Sequence, residues 1–290
     1  MDPRPLSYQG FLPIRQRNFD WAEFKEFVYG KYAKSTAPKV MSYAKRYSHL
    51  LQSGNIGEID KISATTRSDA VKSLIILSKY LGICEAFRAG LKSYGIRLTR
   101  PDAFSSFTRM YTNPSSDLWI WYSDAKIILR PEEQLFLKYL KLSGLRKEEG
   151  ITSFNLIIEL SKQNKLNEYL NENGFLEHFR YKKPFLRGTK NVYISIIPTE
   201  TILEISRSQP VTYNAIVKRL LRKHKRCRLN ELRDYFGTFM VRHELIKEEV
   251  DLLQGRIPPS IFIRHYWSPS FKELRDRTLS ALTKMEKKTY

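Results

Sequence analysis

LRPEEQLFLKYLKLSGLRKEEG, residues 129–150, describes a helix that starts, stops and hands the chain to an arginine. Pro131 suits a first helical turn, where its missing N–H is not needed. Leu135, Leu137, Tyr139 and Leu140 supply an apolar face, and Gly144 supplies the stop. Arg146 therefore follows a glycine turn after an apolar helix and is presented by a rigid frame. Glu148 and Glu149 stand close enough to hold its charge, or to be ordinary surface acids.

Helical patterns extend in both directions. In FDWAEFKEFVYGKY, residues 19–32, Trp21, Phe24, Phe27 and Val28 fall at helical spacing. In STAPKVMSYAKRYSHLL, residues 35–51, Val40, Tyr43, Ala44, Tyr47, Leu50 and Leu51 form one stripe, with Ser35 or Thr36 as the cap and Pro38 in the first turn. TTRSDAVKSLIILSKYLGI repeats the logic with Thr66 and Asp69 as a capping pair, and CEAFRAGLKSYGI adds a shorter helix. The divisions predicted are a polar lead-in at 1–17, a helical domain at 18–105, a linker at 106–117 and a second domain at 118–290. The linker is marked by two prolines and clustered Ser, Thr, Asn and Asp in RPDAFSSFTRMYTNPSSD.

Within the second domain, SFNLIIELSKQNKLNEYLNENG reads as helical or mixed, and RGTKNVYISIIP as a short strand leaving a turn at Gly188. Helices are predicted at 210–226, 229–243 and 246–254. A C-terminal helix at 270–288 follows, opened by a Ser270–Glu273 capping box and carrying Phe271, Leu274, Leu282 and Met285 on one face. The fold class is mainly α with a small β-sheet (α+β).

The 290 residues include 50 Lys and Arg against 30 Asp and Glu, a net charge of +20 that suits a polyanionic partner. Hydrophobic residues make up 42%, enough for a packed core. No run approaches the twenty or so apolar residues of a membrane-spanning helix, and MDPRPLSYQG lacks the apolar core of a signal peptide. Cys84 and Cys227 are too few for a disulfide framework, and His224 with Cys227 lacks the second pair that zinc needs. There is no Walker motif and no acidic metal cluster. An intracellular protein is expected.

The charge is concentrated. KRLLRKHKRCR, residues 218–228, holds seven Lys or Arg in eleven positions, and Lys218, Arg222, Lys223 and Lys225 are candidate phosphate contacts. Lys39, Lys45 and Arg46, off the apolar stripe of the first domain, are candidates of the same kind. Arg233 lies in LNELRDYFGTFM, where Leu229, Leu232, Tyr235, Phe236 and Phe239 bury one side. A cation there needs an anionic partner, which Asp234 or Glu231 can supply if its role is structural. In GRIPPSIFIRHYW, residues 255–267, Pro258 and Pro259 are expected to end the helix carrying Arg256, ahead of the apolar IFI and Tyr266.

Taken together these segments resemble the tyrosine recombinases, the phage-integrase family. LSGLRKEE resembles its first signature box, an arginine after Thr/Ser-Gly-Leu with an acid three places later, here Arg146 and Glu149. LNELRDYFGTF is similar to the second box, His-x-x-Arg, carried by Asn230 and Arg233. LLQGRIPPSIFIRHYW resembles the third, with Arg256 at the His/Trp position and Tyr266 at the nucleophile. RGTKNVYI matches the β-hairpin lysine at Lys190. Asn230 and Arg256 depart from the usual pattern in the manner of archaeal virus and plasmid integrases. The motifs cover roughly 115–290, and the helical domain before them looks like the family's core-binding domain.

The resemblance implies an enzyme that cleaves and rejoins DNA through a 3′-phosphotyrosine, integrating or excising a mobile element without metal, ATP or other cofactor. Tyr266 is then the nucleophile, Arg146 and Arg233 the phosphate clamp, Arg256 a third donor and Lys190 the general acid. Asn230 is limited to hydrogen bonding, and His265, beside the nucleophile, points elsewhere on a helix. The implied partners are double-stranded attachment-site DNA and further copies of the chain, a tetramer on synapsed DNA, in the host cytoplasm. The C-terminal helix either covers its own core or docks on a neighbouring protomer. Two alternatives stay open: strand cleavage and resealing like that of a type IB topoisomerase, and a non-catalytic protein that binds attachment sites.

Overall fold

The apolar stripes become helices, and several helix starts are set by acids. A computed structural model describes residues 19–33, 36–96, 104, 107–108, 111, 116–187, 190–243, 245–257 and 265–287, and of 64, 65, 116 and 190 the backbone alone. The chain divides into two units, Met1–Met110 and Tyr111–Tyr290. The expected lead-in and much of the expected linker lie outside the described residues.

The first unit contains α1 (Trp21–Lys31), α2 (Ala37–Tyr47), α3 (His49–Ser53), α4 (Ala64–Tyr80) and α5 (Cys84–Ser93). Its core gathers Phe24, Val28, Ala44, Leu50, Leu51, Leu74, Leu77 and Phe87. Asp20 starts α1, its carboxylate accepting the N–H groups of Ala22 and Glu23 at 2.9 and 3.0 Å. Two expected caps differ. Thr36 occupies the cap position of α2 without a side-chain hydrogen bond, and Ser35 lies outside the described residues. Because α4 begins at Ala64, Thr66 and Asp69 fall inside it, and the Asp69 carboxylate pairs with Lys39 at 2.6 Å instead of capping.

The second unit contains α6 (Ser116–Ile128), α7 (Pro131–Ser143), α8 (Lys147–Lys162), the short α9 (Lys182–Phe185), α10 (Thr199–Ser206), α11 (Tyr213–Arg222), α12 (Leu229–Arg242), α13 (Lys247–Leu253) and α14 (Phe271–Lys287). Four short strands make two antiparallel pairs. β1 (Phe175–Glu177) lies against β4 (Ile194–Ile196) with Leu176 opposite Ser195, and β2 (Leu186–Arg187) lies against β3 (Lys190–Asn191) with Arg187 opposite Lys190. The single strand predicted after the turn is thus two. The chain leaves one ladder at Val192, whose N–H goes to the Phe185 carbonyl at 3.1 Å, and joins the other at Ile194. Gly188 lies outside the described residues.

Three helices of this unit open the same way. Leu129-Arg130-Pro131-Glu132-Glu133, Leu145-Arg146-Lys147-Glu148-Glu149 and Leu245-Ile246-Lys247-Glu248-Glu249 each place a buried leucine before the cap and a buried glutamate in the first turn. Glu133, Glu149 and Glu249 accept the N–H of Arg130, Arg146 and Ile246 at 3.0, 3.2 and 3.1 Å. This satisfies an otherwise orphaned donor and sets negative charge at the positive end of the helix dipole. Each also holds an arginine from elsewhere or from its own cap: Glu133 takes Arg219 at 2.7 Å, Glu249 takes Arg277, and Glu149 takes Arg146.

The remaining helices follow their apolar faces closely, with one early stop. α11 ends at Arg222 instead of continuing to 226, because His224 turns the chain at φ 54° and the next residues are tied to α6. Lys225 reaches Asp124 at 2.5 Å, and the Arg226 carbonyl accepts the Trp121 indole N–H at 2.8 Å. In α14 the Ser270 hydroxyl accepts the Glu273 N–H at 3.4 Å, one half of the capping box. Leu274, Ala281, Leu282 and Met285 enter the core of its own unit, while Phe271 is half exposed with its ring edge-on to Phe175.

A chain of hydrogen bonds crosses that core. It runs from the Tyr139 hydroxyl to Ser153 (2.5 Å), from Ser153 to the Tyr169 hydroxyl (2.8 Å), and on to His178 Nδ1 (2.6 Å); His178 Nε2 then meets the Ser195 hydroxyl at 2.7 Å. Burial pushes the His178 pKa down to about 3 from its ordinary 6.5. The unfolded chain therefore takes up this proton first, so stability is intact above pH 6.5 and falls as pH drops toward 3. Urea unfolding is expected to show a loss of about 2 kcal/mol between pH 7 and pH 5 from this group. His178→Gln should flatten that slope; an unchanged slope would refute the assignment.

Candidate active site

Arg146 is positioned by the junction of α7 and α8. Gly144 ends α7 at φ 60°, and a Cβ there would sit 2.3 Å from the Phe236 ring of α12, so glycine is required twice over. Two residues later Arg146 caps α8, its Nη1 donating to Glu149 Oε1 at 2.7 Å and to the Asn191 carbonyl at 3.4 Å. Glu149 has no exposed surface, and the same oxygen accepts Arg187 Nη2 at 3.1 Å. Of the two acids weighed from sequence, Glu149 holds the arginine and Glu148 is exposed.

Arg233 is buried on the apolar side of α12, 5% exposed. Its expected partners do not hold it. Glu231 is engaged by Arg228 at 2.8 and 2.5 Å, and Asp234 faces solvent. Instead Nη1 donates to the Gly144 carbonyl at 2.8 Å and Nη2 to the Gln254 carbonyl at 2.7 Å. These carbonyls lie at the C-terminal ends of α7 and α13, where helix dipoles present partial negative charge. The Gln254 amide returns a hydrogen bond to the Arg233 carbonyl at 2.8 Å. A guanidinium has five N–H donors, and the described residues take up two. Burial, and then the neighbouring charges of Arg146 and Arg256, push the Arg233 pKa down to about 10. It remains a cation at neutral pH.

Arg256 reaches the site through a second glycine. The helix before it ends at Leu253, with Gly255 at φ 65°, so Gly255 rather than Pro258 and Pro259 provides the stop. Those prolines and the apolar IFI lie outside the described residues. A Cβ on Gly255 would fall 1.7 Å from the Asn191 carbonyl oxygen, so only glycine lets this turn lie against β3. The Arg256 guanidinium is exposed, 3.8 Å from the Asp251 carboxylate. Lys190 is the β3 neighbour of Asn191; its side chain lies outside what is described. Four separate segments thus meet at the Asn191 backbone and the Arg233 guanidinium.

The other candidates are placed less tightly. Tyr266 is 73% exposed, and no described residue hydrogen-bonds its hydroxyl or links it to the arginines. Asn230 is exposed one turn before Arg233 on α12, and His265 is exposed. The basic run separates into two groups. Arg219, Lys225 and Arg228 are paired with Glu133, Asp124 and Glu231. Lys218, Arg222, Lys223 and Arg226 are exposed with no carboxylate partner among the described residues. In the first unit Lys39 is paired with Asp69, Lys45 lies over the Trp21 ring at 5.6 Å and Arg46 over the Tyr47 ring at 5.4 Å.

Sequence reasoning passed over Arg187, Asn191 and Gln254. A usable signal existed for the first, a cation three positions before the hairpin lysine. Among the described residues no cluster of His, Cys, Asp and Glu can hold a metal ion, and no helix is long and apolar enough to cross a membrane.

Residues 133–273 match the family model of the archaeal phage integrases. The span runs from the first of the buried capping glutamates past Tyr266, so it takes in every catalytic candidate. The match implies DNA binding and site-specific recombination by strand transfer. No curated protein and no solved structure matches the chain.

Gly255→Ala is expected to cost at least about 2 kcal/mol in urea unfolding, because the methyl collides with backbone that cannot move aside. Gly174, also at positive φ but with nothing within 4 Å of its virtual Cβ, provides the control. Gly174→Ala should cost about 1 kcal/mol or less. Equal losses in the two variants would show that Gly255 is not pressed against β3.

Proposed function

We propose that the chain is a site-specific tyrosine recombinase that cuts and reseals attachment-site DNA through a 3′-phosphotyrosine at Tyr266. The observation that carries this is Arg233: a buried cation with spare donors and no carboxylate bonded to it among the described residues, flanked by Arg146 and Arg256. Such a group is incomplete without an anion, and a phosphodiester is the anion that the integrase match supplies.

In this mechanism the Tyr266 hydroxyl gives its proton to solvent, its oxygen attacks phosphorus, and the bond to the 5′-oxygen breaks. Charge grows on the two non-bridging oxygens, where fixed guanidinium groups stabilise it more than they stabilise the ground state. Arg146, Arg233 and Arg256 are assigned to those oxygens. Lys190, on the strand beside them, donates a proton to the departing 5′-oxygen, and Asn230 adds a hydrogen bond. The phosphotyrosine conserves the bond energy, so resealing by the 5′-hydroxyl needs neither metal nor ATP. Strand exchange requires two duplexes, which implies a homo-tetramer on synapsed DNA.

The exposed, unpaired Lys218, Arg222 and Lys223 are assigned to the DNA backbone, together with Arg226. Lys225 adds less because Asp124 already neutralises it. Lys45 and Arg46 give the first unit its own phosphate contacts, and Lys39 adds less because Asp69 already neutralises it.

Two experiments test this. On a nicked duplex that traps the covalent adduct, wild type should become attached to DNA through Tyr266. Tyr266→Phe should bind with similar affinity and form no adduct; an adduct with the Phe variant sinks the nucleophile assignment. Separately, Lys223→Ala should weaken binding to any duplex and lower the slope of log K against log salt by about 1. Lys225→Ala should change the slope by less, and the reverse order would contradict the division of the basic run.

A further inference from the structure

We infer that Arg187, outside the resemblance to the recombinase boxes, is a fourth phosphate-binding arginine that stabilises the charge gained in the transition state. This rests on the proposed function above and extends its site.

The evidence is the sharing of one buried acid. Glu149 Oε1 accepts Arg146 Nη1 at 2.7 Å and Arg187 Nη2 at 3.1 Å, while its other oxygen accepts the Arg146 backbone N–H. Arg187 is therefore within hydrogen-bond reach of the oxygen that positions the first clamp arginine. It is 39% exposed, so donors remain accessible to a ligand. Its strand position is fixed twice: by the register opposite Lys190 and by its N–H, which donates to Asn191 Oδ1 at 2.9 Å. Asn191 is the residue whose backbone also meets Arg146 and Gly255.

Charge counting gives Arg187 a specific task. Arg146, Arg187, Arg233, Arg256 and the general acid Lys190 bring five positive charges, and Glu149, Asp251 and Asp234, whose charge also acts on Arg233, remove three. The excess is +2. A phosphodiester carries one negative charge, and the five-coordinate phosphorus formed on attack carries two. Without Arg187 the excess is +1, which matches the bound substrate and leaves the transition state one charge short. Interactions gained only in the transition state raise the chemical rate and leave binding nearly unchanged. Arg187 stays protonated throughout and transfers no proton.

The test is single-turnover cleavage of a nicked duplex carrying either a normal diester or a methylphosphonate at the scissile position. The methylphosphonate lacks one non-bridging negative charge. Arg187→Ala should cleave the diester about 10²-fold more slowly than wild type with DNA affinity within about twofold, and on the methylphosphonate the gap should shrink to about threefold. Arg187→Gln, closer in shape, should show the same pattern and serves if the alanine variant fails to fold. Equal rate losses on both substrates would overturn the inference, leaving Arg187 as a brace for Glu149, and so would wild-type rates on the diester. Failure of the proposed function looks different: wild type would cleave neither substrate.

Discussion

A guanidinium buried with no carboxylate bonded to it among the described residues is the constraint that organises the second unit. Removing a cation from water costs several kcal/mol, and that cost is normally met by an acid close by. Arg233 has two carbonyls instead, at the ends of α7 and α13. Helix-end carbonyls carry only fractional charge, so the site keeps a net positive potential that a carboxylate would have cancelled. The same choice explains the depressed pKa: burial and two neighbouring arginines act together, and no acid of comparable strength offsets them. On the proposed function, stability is given up locally to leave an anion site open.

That arrangement fixes where the neighbouring residues must be. The two carbonyls belong to residues lying two positions before Arg146 and two before Arg256, so holding Arg233 also delivers both other arginines. Each connection passes through a glycine at positive φ whose missing side chain leaves room for a close neighbour, Phe236 in one case and the Asn191 backbone in the other. The short β2–β3 ladder brings the Asn191 backbone against Arg146 and Gly255. Precision here comes from helix ends and tight turns rather than from loops, which suits a site that must match the geometry of one phosphorus.

Much of this was legible in the sequence, for identifiable reasons. Apolar periodicity located most of the helices because their buried faces are continuous, though α6 and α10 were not read, and Gly144 and Ser270 marked real boundaries. The arginines stood out because long cations are rare on apolar faces. What could not be read was partnership across distance. Arg233 finds its carbonyls 89 and 21 residues away, and nothing in the local pattern points to either. α11 looked longer than it is because Lys225 and Arg226 continue a helical composition while their contacts to α6 end the helix. The repeated Leu-x-x-Glu-Glu at three helix starts was visible and meaningful, since each second glutamate is buried and holds both a backbone N–H and an arginine.

The central claim is that Arg146, Arg233 and Arg256 enclose a single phosphate. It is tested most directly by a crystal structure of the protein on a nicked attachment-site duplex. The account predicts the scissile phosphate with its non-bridging oxygens about 3 Å from guanidinium nitrogens of all three residues, and with Arg233 still bonded to the Gly144 and Gln254 carbonyls. A scissile phosphate seated elsewhere, with the Arg233 guanidinium sealed off by protein atoms, would contradict it.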